Sequence, residues 1–183
     1  ERERVKTASF MTALGDIIGT TVPEGVRQCI DIGKMIKEVT QGSGIQSVMV
    51  GHSHGGGLAQ ATAVANGLKG IIINSRSLGV QTKAFIGEGV IEENKKNITA
   101  FSVRGDWLTE AKKIGDLRPI FETMLKTHFF AALLFASIQN TPILPNIGEG
   151  YYLPLPAGAT TEDAHRHFYR AFQILRKGLI QGI

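Results

Sequence analysis

Two segments hold most of the residues able to do chemistry. The first reads Val48-Met49-Val50-Gly51-His52-Ser53-His54-Gly55-Gly56-Gly57-Leu58-Ala59 and carries G-x-S-x-G between an apolar run and a run of small residues. A serine on a sharp strand-to-helix turn sits in strained backbone, and glycines two before and two after it would remove clashing Cβ atoms. Its hydroxyl then projects from the sheet edge at a helix N-terminus. The amide of the next residue, His54, is aimed there at a developing oxyanion. Ser53 is therefore expected to be a nucleophile. A phosphate-cradling loop is the plainer alternative. However, no Lys-Ser or Lys-Thr pair follows the glycines as a Walker loop requires. A dinucleotide fingerprint needs other glycine offsets and an acidic residue at the next strand's end, where Asn74 and Ser75 stand.

An activated serine needs a histidine base and an acid that orients it, here in the order Ser, Asp, His. Asp106 follows the apolar run Ile98 to Val103. Strand ends of a parallel sheet gather at one edge, so Asp106 is expected to face Ser53. Its plainer role is an N-cap for the helix that follows. Asp116 is the fallback, and Asp16 and Asp31 precede the serine. Of five histidines, His52 and His54 flank the nucleophile and cannot fold back as its base. His128 opens an apolar run. His165 and His167 remain, at the start of the last helix, and helical phase leaves both open. Zinc held by the pairs His52-x-His54 and His165-x-His167 is a weaker reading, since neither has i, i+4 spacing and no cysteine or carboxylate clusters with them. No metal and no cofactor is expected.

The elements that must position these residues follow from periodicity. A helix is predicted over Pro23 to Thr40, with Val26, Ile30, Ile32 or Gly33, Ile36 and Val39 on its apolar side. Gln41-Gly42-Ser43-Gly44 stops it. Buried strands are predicted at Ile45–Val50, Ile71–Asn74 and Ile98–Val103, and a last one at Tyr151–Leu155. Helices are predicted at Leu58–Asn66, weakly at Gln81–Lys96 across Gly87 and Gly89, through most of Leu108–Ile138, and as one unbroken helix over Thr161–Ile180. Short apolar strands alternating with helices imply an α/β fold, a mostly parallel sheet with helices on both faces.

With 183 residues, 43% hydrophobic and 20% charged, the chain fits one domain with a real core. It has no internal repeat. Cys29 is its single cysteine, so it is no disulfide scaffold. The net charge of +4 is spread along the chain, without the basic run that tracks phosphates, so no nucleic-acid partner is expected. No apolar stretch reaches the ~18 residues of a membrane span. The chain begins with Glu1 rather than Met, so it is expected to be a C-terminal fragment of a longer protein.

The segment Gly51-His52-Ser53-His54-Gly55-Gly56-Gly57-Leu58-Ala59-Gln60 resembles the elbow of bacterial lipases related to the class 3 lipases, where leucine is usual at the place of His54. Gly70-Ile71-Ile72-Ile73-Asn74-Ser75 resembles their next strand, and Ile98 to Asp106 the strand that delivers the catalytic aspartate. The likeness covers roughly residues 8 to 175. It implies an α/β-hydrolase fold and a lipase or phospholipase cleaving carboxylic esters with Ser53, Asp106 and a histidine. Between the two open histidines, it favours His167, through His167-Phe168-Tyr169-Arg170-Ala171-Phe172. It also implies an acyl-binding or lid element near Trp107, Leu108, Phe129, Phe130, Leu133, Leu134 and Phe135, for a lipid or ester substrate with peripheral membrane contact. Relatives include secreted bacterial effectors and toxins, so a secreted or translocated protein is expected. Ala8 to Gly19 resembles the stretch after the turn that supplies the second oxyanion amide. Residues 7 to 12, an upstream fragment or a second copy would then provide that donor and complete the sheet. The rival expectation is a hydrolase fold that serves only as an interaction domain.

Overall fold

The computed structural model describes residues 22–106, 109, 147–155 and 157–181. The charged start, the segment from Ala8 to Gly19, Trp107 and Leu108, Asp116, His128 and the apolar run Phe129 to Ile138 lie outside these residues.

Helix α1, Glu24–Thr40, starts directly after Pro23, whose φ of −59° suits a helix entry and whose carbonyl accepts from the Val26 amide. Only Val26 and Gly33 of its expected apolar side are buried, while Ile32 and Val39 face outward. That side is narrow because α1 packs on another helix rather than on the sheet. Strand β1, Val48–His52, leads without a loop into α2, Ser53–Asn66. Then come β2, Lys69–Ile73, α3, Val80–Ile86, and α4, Glu88–Asn94, with Gly87 between the two helices at φ 93°. The single weak helix expected there is therefore two. A 3₁₀ turn, Lys95–Asn97, delivers β3, Ile98–Val103. After residues 107–146 the chain enters β4, Glu149–Leu153, followed by α5, Thr161–Arg166, and α6, Tyr169–Gln181.

The four strands form one sheet in the order β1-β2-β3-β4, and every neighbouring pair is parallel. This is the α/β fold that the alternation of strands and helices implies. Side chains alternate across a strand, and β3 shows what each face holds. Ile98 and Ala100 join the core built on α2, with Val26, Ala61, Val64, Ile72 and Leu78. Phe101 and Val103 join a second core with Leu153 of β4, Ala164 of α5, Phe168 between α5 and α6, and Ala171 and Phe172 of α6. Helices thus cover both faces. The small residues of α2 let it lie close to the sheet: a Cβ on Gly70 of β2 would stand 3.1 Å from that of Ala63. Parallel strands end on the same side, so β1, β2 and β3 deliver Ser53, Asn74 and Asp106 to one edge.

The last helix departs from its expected form. Thr161 to Ile180 is not one helix, because α5 ends at Arg166 and α6 begins at Tyr169. His167, at φ −110° and ψ 33°, lies in the break. Among the described residues no helix is long and apolar enough to cross a membrane.

Candidate active site

Ser53 is the first residue of α2 and holds φ at 54°, a left-handed conformation that costs a non-glycine residue of order 1–3 kcal/mol. The surrounding glycines explain how the turn closes. A Cβ on Gly51 would collide with the carbonyl of Gly55, and one on Gly56 would stand 2.6 Å from the Cβ and Oγ of Ser75. A Cβ on Gly55 would meet nothing within 4 Å. The expectation that both motif glycines relieve clashes thus holds for Gly51 and fails for Gly55. Close packing instead falls on Gly56, beneath the turn that follows β2.

Ser53 Oγ lies 2.9 Å from Nε2 of His165. Nδ1 of the same ring lies 2.6 Å from Oδ2 of Asp106. A carboxylate oxygen facing Nδ1 accepts its hydrogen, and with that hydrogen on Nδ1 the opposite nitrogen, Nε2, is able to accept from the serine hydroxyl. Asp106 is fully buried and the His165 side chain is 11% exposed, so the chain of bonds is largely shielded from water. The second carboxylate oxygen, Oδ1, accepts the Thr109 amide at 2.7 Å. Asp106 thus meets the His165 ring with one oxygen and the backbone amide of Thr109 with the other.

His167 is not part of this chain of bonds, which corrects the preference for it. Its Nδ1 bonds Oδ1 of Asp163 at 2.9 Å, its amide donates to the Asp163 carbonyl at 2.7 Å, and its side chain is 43% exposed. Asp163 also closes a capping box at the start of α5. It accepts from the Thr160 amide and hydroxyl, while its own amide donates to Thr160 Oγ1. These bonds, led by the Thr160 amide and followed by the His167 ring, pull the Asp163 carboxyl down to about 2. A signal for this lay in the sequence. Thr160-x-x-Asp163 is a capping pattern, and Asp163 and His167 are four apart, so a helix start gives His167 its own local carboxylate.

Two residues that sequence reasoning set aside sit against the site. Asn74, fully buried at the end of β2, donates from Nδ2 to the Ala164 carbonyl at 2.8 Å and accepts the Val103 amide on Oδ1 at 2.8 Å. It ties the helix bearing His165 to the strand that delivers Asp106. His52 lies 2.8 Å from the His165 carbonyl through Nε2, and its ring stacks on Phe168 at 4.6 Å. Burial first, then the neighbouring His165, pushes the His52 pKa below its usual value.

The sequence pattern of a phospholipase-like family, described as the Tle-like phospholipase domain, matches residues 22–148. The match spans the elbow and Asp106 and ends before α5. No curated protein matches the chain. Since the family match covers well over half of the sequence, the chain belongs to the Tle-like phospholipase domain family.

Proposed function

We propose that this chain is a serine hydrolase that cleaves carboxylic esters of lipids, phospholipids foremost, through an acyl-enzyme. The observation that carries the reading is the unbroken run of hydrogen bonds from Ser53 through His165 to Asp106. Family membership supports the substrate class. Ser53 Oγ attacks the ester carbonyl while its proton passes to His165 Nε2. Asp106 Oδ2 holds the opposite ring nitrogen and stabilises the imidazolium. The His54 amide, in the first turn of α2, donates to the oxyanion. Collapse of the tetrahedral species breaks the ester C–O bond, and His165 returns the proton to the leaving alcohol. Water then repeats the sequence on the acyl-enzyme, with His165 as base, and releases the fatty acid.

A fluorophosphonate probe tests the reading, together with a panel of phospholipids and simple acyl esters. The expected result is labelling of the wild type, none of Ser53→Ala, and ester turnover that disappears with the label. Ser53→Ala removes one oxygen, so its stability should stay within about 1 kcal/mol of wild type. A folded wild type that neither labels nor hydrolyses any ester would favour a role in interaction alone.

The same reading makes the protein a secreted or translocated effector that meets membranes peripherally. Its edge chemistry adds a partner strand for β1. Among the described residues β1 ends the sheet, with Val48 and Val50 exposed. An apolar edge strand recruits another strand. Light scattering behind a sizing column should show association of this chain with a second copy. A well-behaved monomer with full activity would exclude that partner.

A further inference from the structure

Helix α5 is six residues long, and His165 is its penultimate residue. A helix leaves its last four carbonyls without intrahelical partners, and so short a helix has little stability of its own. Three of these carbonyls have found donors. That of Asp163 accepts the His167 amide at 2.7 Å. The Ala164 carbonyl accepts from Asn74 Nδ2, and the His165 carbonyl from His52 Nε2, each at 2.8 Å. The last two donors stand at the ends of β2 and β1. His52 is also the residue directly before the nucleophile. The backbone of the base therefore hangs on a neighbour of the serine it must reach.

The His52 ring makes two further contacts. It stacks on Phe168 with centroids 4.6 Å apart and planes 26° apart, and it lies tilted against the His165 ring at 4.8 Å and 47°. One side chain thus touches the backbone of the base, its ring and the start of the segment leading to α6.

Resting on the serine-hydrolase reading above, we propose that His52 is a positioning residue, whose Nε2–H bond to the His165 carbonyl and stacking on Phe168 set His165 Nε2 against Ser53 Oγ. A carbonyl only accepts, so Nε2 of His52 carries the hydrogen. Burial and the neighbouring His165 favour the neutral ring, which adds no like charge beside His165 when that residue takes the serine proton. A displacement of about 1 Å at a reacting group costs on the order of 10²-fold in rate. That is the scale of effect available to a residue that places the base without touching substrate.

The test uses the full chain and two variants. His52→Phe keeps a flat ring for stacking and loses the N–H. His52→Gln loses the ring and supplies a side-chain N–H. Turnover of a p-nitrophenyl ester is measured per active site, with sites counted by fluorophosphonate labelling. The low-field proton of the His165–Asp106 bond is followed by NMR. In His52→Phe, kcat per labelled site should fall on the order of 10- to 100-fold with KM within about twofold, and the low-field proton should broaden or disappear. His52→Gln should recover part of both. A merely structural role would lower the number of labelled sites and leave the rate per site unchanged. That result would overturn the proposal. If the wild type neither labels nor hydrolyses, the hydrolase reading fails and the NMR signal alone decides. Its loss in His52→Phe would uphold the positioning role, and its persistence would overturn it.

Discussion

His165 and His167 stand two positions apart and are held by different carboxylates: Nδ1 of His165 by Asp106, from the far end of β3, and Nδ1 of His167 by Asp163, one helical turn earlier. His165 lies within α5 and His167 in the break after it, and the two rings meet carboxylates from different parts of the fold. His165→Ala should therefore lower ester turnover by three or more orders of magnitude, while His167→Ala should change it by a few-fold at most. Steady-state kinetics on both variants, with folding checked by circular dichroism, gives the ranking. The reverse order would restore His167 as the base.

This pair also marks where the sequence stopped being legible. The elbow, the parallel strands and Asp106 were readable because each rests on local pattern. Gly51 and Ser53 need their turn, Ile98 to Val103 is an apolar run, and Asp106 follows at its end. The choice of histidine depended on a helix break. A single helix over 161–180 leaves His165 and His167 equally placed in helical phase. The break after Arg166 takes His167 out of helical phase with His165. His52 and Asn74 were unreadable for another reason. Their partners are main-chain carbonyls 113 and 90 residues away, and no side-chain pattern records such a bond.

The elbow glycines should differ sharply in tolerance. Gly56→Ala puts a methyl group 2.6 Å from Ser75 Cβ and Oγ, a side chain buried after β2. Overpacking of this kind costs about 1–3 kcal/mol. Gly55→Ala meets open space inside a helix, where alanine is the better helix former by up to about 1 kcal/mol. Urea denaturation should place Gly56→Ala below the wild type and Gly55→Ala at or above it. Equal destabilisation would mean that Gly55 is needed for more than its lack of a side chain.

Asp106 makes two bonds, to the His165 ring and to the Thr109 amide, so two substitutions should separate their effects. Asp106→Asn keeps an oxygen for the Thr109 amide and presents an NH₂ group to the His165 ring. The ring is then driven into the tautomer with hydrogen on Nε2, which cannot accept the serine proton. Turnover should fall by about 10³–10⁴-fold with little change in stability. Asp106→Ala should lose comparable activity and also the bond to the Thr109 amide, leaving that buried N–H unpaired at a further cost of about 1–3 kcal/mol. Paired kinetics and denaturant melts distinguish them. Identical melts would show that the bond to Thr109 contributes nothing to stability.

Acid should loosen α5 through Asp163. Its carboxyl is held at about 2 against an ordinary 3.8, chiefly by the Thr160 amide and next by the His167 ring and Thr160 hydroxyl. A group whose folded-state pKa is depressed stabilises the fold above its unfolded value, and that stabilisation fades as pH falls through the folded value. The contribution of Asp163 should thus be complete above about pH 4 and gone somewhat below pH 2. Asp163→Asn cannot ionise, so it lacks this contribution at every pH. Thermal melts of wild type and Asp163→Asn between pH 6 and pH 2 should show a gap in Tm that is constant at the upper end and shrinks once pH drops below about 4. A gap that does not narrow with acid would mean that Asp163 holds α5 by shape and neutral hydrogen bonds rather than by its charge.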